Sequence, residues 1–287
     1  MKRIIVLILI CQGFQGASQS FFNWQYNDRY FSLIAGSGLT AYFGELNDDN
    51  RIRQEFSNFS LGVEARLLSR LGARAEFIYY SLEGDDLYAA DSSFNRQRNL
   101  SFFSRNFETN LQAIFYLRKY RGDYHKRWAL DPYMGLGVGV TTYNPTAELD
   151  SVKYKLRDLK TEGQSYGQFA LVLPLTFGVK LRFNEFVNFN MELGYRYAFT
   201  DYLDDVSTVF IENDGSLAGR LSNRKDEVRS RDNEFFIVNQ EHYDAQIAGA
   251  PRGNPDRRDS YLFVSFRLEV FIPRKNTGPL LRKPSAY

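Results

Sequence analysis

Cysteine is all but missing from this chain: there is one, Cys11, inside an apolar N-terminal segment. A chain so poor in thiols has no disulfide framework and no cysteine cluster for zinc. Histidine is nearly as scarce, with His125 and His242 the only two in 287 residues. A histidine metal site or a Ser-His-acid nucleophile therefore has little to draw on. Neither charge sign predominates, and the net charge of +2 gives no argument for a nucleic-acid partner. Beyond Ile4–Ile10 there is no long apolar run, and mean hydropathy is −0.41. A bilayer-spanning helix needs about 20 mostly apolar residues, so a helical membrane protein is excluded. A membrane barrel is not excluded, because only every second residue of its strands faces lipid.

Residues 1–20 have the build of a secretory signal: Lys2 and Arg3, then the apolar stretch Ile4–Ile10, then the small residues Gly16, Ala17, Ser18 and Ser20. Cleavage is expected near Ser20, before Phe21. A lipoprotein anchor would need a small residue ahead of the cysteine, where Ile10 stands, so Cys11 is read as lost with the signal.

What the chain does have is alternation. From Tyr30 to Phe43, Phe31, Leu33, Ala35, Leu39, Ala41 and Phe43 fall on one face, with Ser32, Gly36, Gly38, Thr40 and Tyr42 on the other. Soluble strands are usually about 5–6 residues long, and a strand crossing a bilayer obliquely needs about 9–11. The pattern recurs over Ser57–Leu68, Gly72–Leu82, a stretch through Phe107–Leu117, Pro132–Tyr143, Phe169–Phe183, Val187–Phe199 and Tyr261–Ile272. Aromatics make up 16% of the chain, as girdles at two membrane interfaces require. The reading is all-β: an eight-stranded antiparallel transmembrane β-barrel over residues 21–273, with long extracellular loops and short periplasmic turns. Gly135, Gly137 and Gly139 share one face and leave room inside a narrow barrel. Pro174 lacks an N–H, and a bulge is expected there.

The short turns Ser69–Leu71 and Asn184–Glu185 face the periplasm in this topology, and the connection Arg118–Leu130 is long and basic for that side. Inward parity selects Glu64, Arg66, Arg74, Glu76, Glu108, Lys180, Arg182, Glu192, Arg196, Arg267 and Glu269. An eight-stranded barrel is only wide enough for its own side chains, and unpaired charges there would be costly to desolvate. A mixed-sign lining therefore predicts a self-neutralising charge network and a plugged lumen, with a narrow ion path as the rival.

No catalytic, cofactor-binding or metal-binding residue is assigned, because neither histidine falls on a strand. The acidic groups Glu45, Asp48, Asp49 and Asp201, Asp204, Asp205 match no EF-hand spacing, and they are read as solvated loop charge. The long stretch from Thr200 to Ser260 carries apolar patches at Val209–Ile211 and Phe235–Val238, which point to a part that folds over the mouth or meets a partner. The tail 274–287 is basic and expected in the periplasm. Arg118, Lys119, Arg121, Lys126, Arg127, Arg274 and Lys275 are the candidate periplasmic partner contacts.

Several strings carry a resemblance. They are Tyr42-Phe43-Gly44-Glu45-Leu46-Asn47, Pro132-Tyr133-Met134 through Tyr143-Asn144-Pro145, the run Leu156–Gln164 with Thr161-Glu162-Gly163-Gln164, Thr200–Ser207, and Arg252-Gly253-Asn254. Together these resemble the PorG-like outer-membrane barrels of Bacteroidota, a family also catalogued as a domain of unknown function. The resemblance implies an outer-membrane location in contact with lipid and lipopolysaccharide. It further implies a non-enzymatic anchoring role in type 9 protein secretion, with a periplasmic ring lipoprotein and its partner protein as partners. A small channel, an orphan structural barrel and a lipid-modifying barrel enzyme are the rival readings.

Overall fold

A computed structural model describes residues 31–46, 56–90, 93–119, 127–228 and 234–272. The signal segment with Cys11, the tail with Arg274 and Lys275, and Asp48, Asp49, Arg121, His125 and Lys126 lie outside the described residues.

Ten strands form one sheet: β1 (Phe31–Phe43), β2 (Asn58–Arg66), β3 (Leu71–Asp85), β4 (Ser101–Tyr116), β5 (Leu130–Thr142), β6 (Thr146–Leu149), β7 (Val152–Lys155), β8 (Phe169–Arg182), β9 (Val187–Ala198) and β10 (Ser260–Ile272). Eight of them close on themselves. β1 pairs with both β2 and β10, and β3 pairs with β4, so no strand of the ring keeps a free edge. The pairings are antiparallel throughout, as the alternation predicts. β6 and β7 form a small hairpin outside the ring, bridged to β4 at Phe103–Thr146. Closure matters because hydrocarbon offers no water to an unpaired backbone group.

The outer wall is apolar around the whole circumference. Leu111, Leu136, Leu171 and Leu268 are 58, 60, 61 and 55% exposed, on four different strands. A soluble monomer rarely shows a contiguous apolar patch above a few hundred Å², whereas a lipid-facing band requires one. Among the described residues no helix is long and apolar enough to cross a membrane. The crossing is made by strands, and the molecule has the fold of an outer-membrane barrel.

Connections differ sharply between the two ends. At the turn end, Leu67 and Leu68 N–H both donate to Leu71 O, and the Asn184 carboxamide oxygen accepts from Phe186 and Val187 N–H, both at 2.8 Å. Such Asx turns reverse a chain in few residues. At the loop end the long connections fold into short helices and the β6–β7 hairpin.

Two glycines show how narrow the interior is. A Cβ at Gly194 would stand 2.2 Å from Arg196 Nη1, and one at Gly137 would stand 2.1 Å from Leu111 O. The bulge expected at Pro174 is absent. β5 and β8 pair from Leu130–Leu181 to Leu136–Leu175 and resume at Gly139–Val172 in unchanged register. In that register Pro174 opposes Gly137, which has no side chain to displace the ring. The missing N–H costs ladder pairing on one side only, because Pro174 still pairs with Arg196 on the other. The fourth strand also begins earlier than its alternation suggested, at Ser101, where it pairs with Asp85 at the far end of β3.

Candidate functional site

Two assemblies occupy the barrel, one in the lumen and one at the loop end. The lumen assembly is built on strand parity, which turns every second side chain inward. Near the turn end, Lys180 pairs with Glu269 at 2.8 Å and also with Glu64. Arg66 reaches Asp131 at 3.3 Å. At mid-height Arg74 binds Glu64 at 2.9 Å and Glu192 at 2.5 Å, and Arg267 joins Glu192 at 2.8 Å and Glu76. Nearer the loops, Arg196 pairs with Glu108 at 3.2 Å, whose other oxygen accepts from the Tyr261 hydroxyl at 2.8 Å. Neutral donors complete the set: Tyr133 to Glu192 at 2.6 Å, Gln112 to Glu76 at 2.9 Å and Ser32 to Glu269 at 2.7 Å. Each of these carboxylates meets at least one cation. Asp131, which the sequence reading left outside strand five, belongs to the set. Arg182 does not: it is exposed at the turn end, where it donates to Arg127 O at 3.0 Å.

The turn end is tight. A cavity of about 10 Å³ lies among Arg66, Tyr116, Asp131, Lys180 and Glu269, barely the volume one water needs. Arg127 is held by the turn itself, donating to Glu185 O at 2.8 Å and Asn184 O at 3.0 Å and lying 3.8 Å over the Phe271 ring. Arg118 sits 5.0 Å from the Trp128 ring centroid, and Lys119 is exposed.

At the loop end most of the strings that carried the family resemblance converge, whereas Pro132-Tyr133-Met134 lies at the turn end. Glu162 accepts from Ser207 N–H at 2.9 Å, from Thr208 N–H at 2.8 Å and from Thr208 Oγ1 at 2.7 Å. Arg252 pairs with Glu162 at 2.9 Å and with Asp205 at 3.4 Å, and donates to Ser222 O at 3.0 Å. Asp205 also takes the Tyr166 hydroxyl at 2.6 Å, and Tyr166 stacks between Tyr143 and Tyr202. Arg98 grips Asp86 with two bonds of 2.8 Å and donates to Arg252 O at 2.7 Å. Phe210 is buried, and Val238 N–H reaches Gln97 at 2.7 Å, so the stretch after β9 folds across the mouth. The sequence strings held Glu162 and Arg252 but not their pairing, which joins residues 90 apart, and Arg98, Asp86 and Asp259 carried no signal in the sequence.

Glu45, Asp201, Asp204 and Asp205 are not solvated loop charge. Asp201, Asp204 and Asp205 are 2, 0 and 1% exposed, and Glu45 is 9% exposed. Folding brings Glu45, Asp201, Asp204 and Asp259 together. Asp259 Oδ1 accepts from the Tyr42 hydroxyl at 2.7 Å and Oδ2 from Leu203 N–H at 2.9 Å. Asp204 Oδ1 accepts from Val206 N–H at 2.8 Å. Asp205 has a left-handed φ of 70°, which Asp tolerates better than most residues. The chain thereby sends Asp205 to Arg252 while Asp204 stays with the acids. Burial, then the neighbouring Asp201, pushes the Glu45 carboxyl up to about 7. Burial raises Asp201 to about 7 as well. Asp204 and Asp259 are also raised, by burial first and then by Glu45 and Asp204 respectively. A cleft of about 350 Å³ bordered by Gly44, Glu45, Arg98, Arg252 and Arg257 opens beside this cluster.

His242 lies on the short helix Gln240–Ala245 with its ring edge-on to Phe94 at 6.0 Å. Among the described residues no serine or carboxylate hydrogen-bonds that ring.

A family model described as a domain of unknown function (DUF6089) matches residues 19–223. No curated protein matches the sequence. Among solved structures the chain is similar to Neisserial surface protein A at 12% identity, over 84% of this chain and 96% of that one, with a TM-score of 0.38. It is similar to Ail, the attachment invasion locus protein of Yersinia pestis crystallised with the heparin analogue sucrose octasulfate, at 10% identity, over 85% and 99%, TM-score 0.38. It is similar to the outer membrane enzyme PagL at 10% identity, over 83% and 98%, TM-score 0.31. Likeness at this level carries no statement about what the chain does.

Proposed function

The chain belongs to the DUF6089 family, and on that premise we propose that it is a non-conducting, non-enzymatic outer-membrane barrel that anchors partners of the type 9 secretion apparatus. The observation that supports this most is the filled lumen. Arg74, Arg267, Glu64, Glu76 and Glu192 bond to one another across the axis, and the folded loop end caps them. A barrel whose lumen is filled by its own side chains, and whose described histidine, His242, has no serine or carboxylate bonded to its ring, acts through its surfaces. The link to type 9 secretion rests on the loop strings that resemble PorG-like barrels. The implied partners are a periplasmic ring lipoprotein and its companion, meeting the turn end near Arg118, Lys119, Arg121, Lys126, Arg127, Arg274 and Lys275.

Co-purification tests the reading. The protein, tagged and extracted from outer membranes in mild detergent, is expected to bring down a periplasmic ring component. Neutralising Lys119, Arg121 and Lys126 together is expected to reduce that recovery. A clean pull-down without any ring component, with normal secretion in a deletion strain, contradicts the anchoring role.

A further inference from the structure

We propose that the loop end of the barrel holds a divalent-cation site of the calcium class, with Glu45, Asp201 and Asp259 as carboxylate ligands and Asp204 beside them. The inference is independent of any secretion role.

Geometry comes first. One carboxylate oxygen from each of Glu45, Asp201 and Asp259 lies within 4.8 Å of the others. Calcium binds oxygen at about 2.3–2.6 Å, so an ion between them meets all three after side-chain shifts of a few tenths of an ångström. The three come from distant parts of the chain: the turn after β1, the start of the long loop after β9, and the residue before β10. Barrel closure therefore builds the cluster, and no local run of acids creates it.

Satisfaction of the buried atoms is the second, separate observation. Both oxygens of Asp201, both of Glu45 and Oδ2 of Asp204 are buried and accept no hydrogen bond from a described residue. Buried carboxylate oxygens are ordinarily paired or coordinate a metal. Of the nearby guanidinium groups, Arg98 is committed to Asp86 and Arg252 to Glu162 and Asp205, while Arg257 and Arg258 act on Glu45 and Asp201 only from beyond ion-pair distance. Among the described residues no ion pair reaches Glu45, Asp201, Asp204 or Asp259. A hard cation supplies what these oxygens lack.

Space is the third. A Cβ at Gly44 would stand 2.2 Å from Asp259 Oδ1 and closer still to the Tyr42 hydroxyl. The chain passes the cluster at a residue with no side chain, and the cleft bordering Gly44 and Glu45 gives an ion a way in. Backbone carbonyls and water would complete the six to eight oxygens calcium takes.

The test uses the full chain in detergent, stripped with chelator. Terbium(III) is titrated in, with its emission excited through Tyr42, whose hydroxyl is 2.7 Å from Asp259 Oδ1. A saturable signal that calcium displaces, and a calcium-dependent rise in unfolding temperature, are expected. Asp201→Asn should weaken calcium affinity at least about tenfold. Glu45→Gln, at the cleft edge, serves as a second variant should the first fail to fold. Displacement by magnesium as effective as by calcium overturns the calcium-class assignment. No saturable terbium signal, or one that calcium fails to displace up to about 10 mM, above the about 10⁻⁴–10⁻³ M range of extracellular sites, overturns the site. Unchanged affinity in both variants does the same.

Discussion

Two of the buried charge clusters, the lumen network and the acidic group at the mouth, are built on opposite rules. In the lumen, signs alternate: Arg74 lies among Glu64, Glu76 and Glu192, and Arg267 bridges Glu76 and Glu192. At the loop end, Glu45, Asp201, Asp204 and Asp259 share one sign and leave oxygens without a donor. The first cluster answers burial with opposite charges, although Arg74 Nη2 and both Arg196 Nη atoms donate to no described partner, whereas no described cation stands within ion-pair distance of the second. A self-paired cluster locks strands together, and a one-sign cluster waits on something from solution. On the proposal above, the mid-height charges serve one another and ligand binding is confined to the mouth.

Substitutions sharpen this contrast. The largest effect is expected from Arg74→Met, which leaves Glu64 and Glu192 short of a partner in a fully buried setting. Removing one member of such a set costs about 3–5 kcal/mol, read as a lower denaturant midpoint for the whole barrel. Arg252→Met comes next. It strands Glu162 and Asp205, but the damage stays in the mouth, because Arg252 bonds only loop residues. We expect rapid proteolysis of the stretch after β9 with the barrel strands intact. Loss of the barrel itself would show that mouth and lumen are one cooperative unit. Asp201→Asn gives the smallest change and the opposite sign. In chelator it removes one of several like charges, so stability should hold level or rise by about 1 kcal/mol. A clear loss would mean that Asp201 is already paired, and the contrast would fail.

The two clusters also differ in how far the sequence revealed them. Lipid outside and a narrow lumen inside impose a period of two, so parity alone placed Arg74, Glu76, Glu192, Arg196 and Arg267 inward. The same regularity exposed all eight barrel strands. Legibility stopped at the strand ends. Asp131 was missed because Pro132 looked like the strand start. Arg182 was placed in the lumen because parity does not say where a barrel ends. Pro174 promised a bulge because its partner, Gly137, was unknown before the register was. The mouth has no period at all. Its bonds join residues as distant as Glu162 and Arg252, 90 positions apart, and Asp201 and Asp204 looked like surface charge until folding buried them. The strings that pointed to a family were legible as words, and the structure shows that Glu162, Asp205 and Arg252 within them hold the cap together.

The sealed lumen is the claim on which the rest depends. Purified protein reconstituted in a planar bilayer tests it most directly. A closed, self-neutralised interior predicts a membrane that stays electrically silent. Stable, large unitary conductance from the same preparation would contradict it.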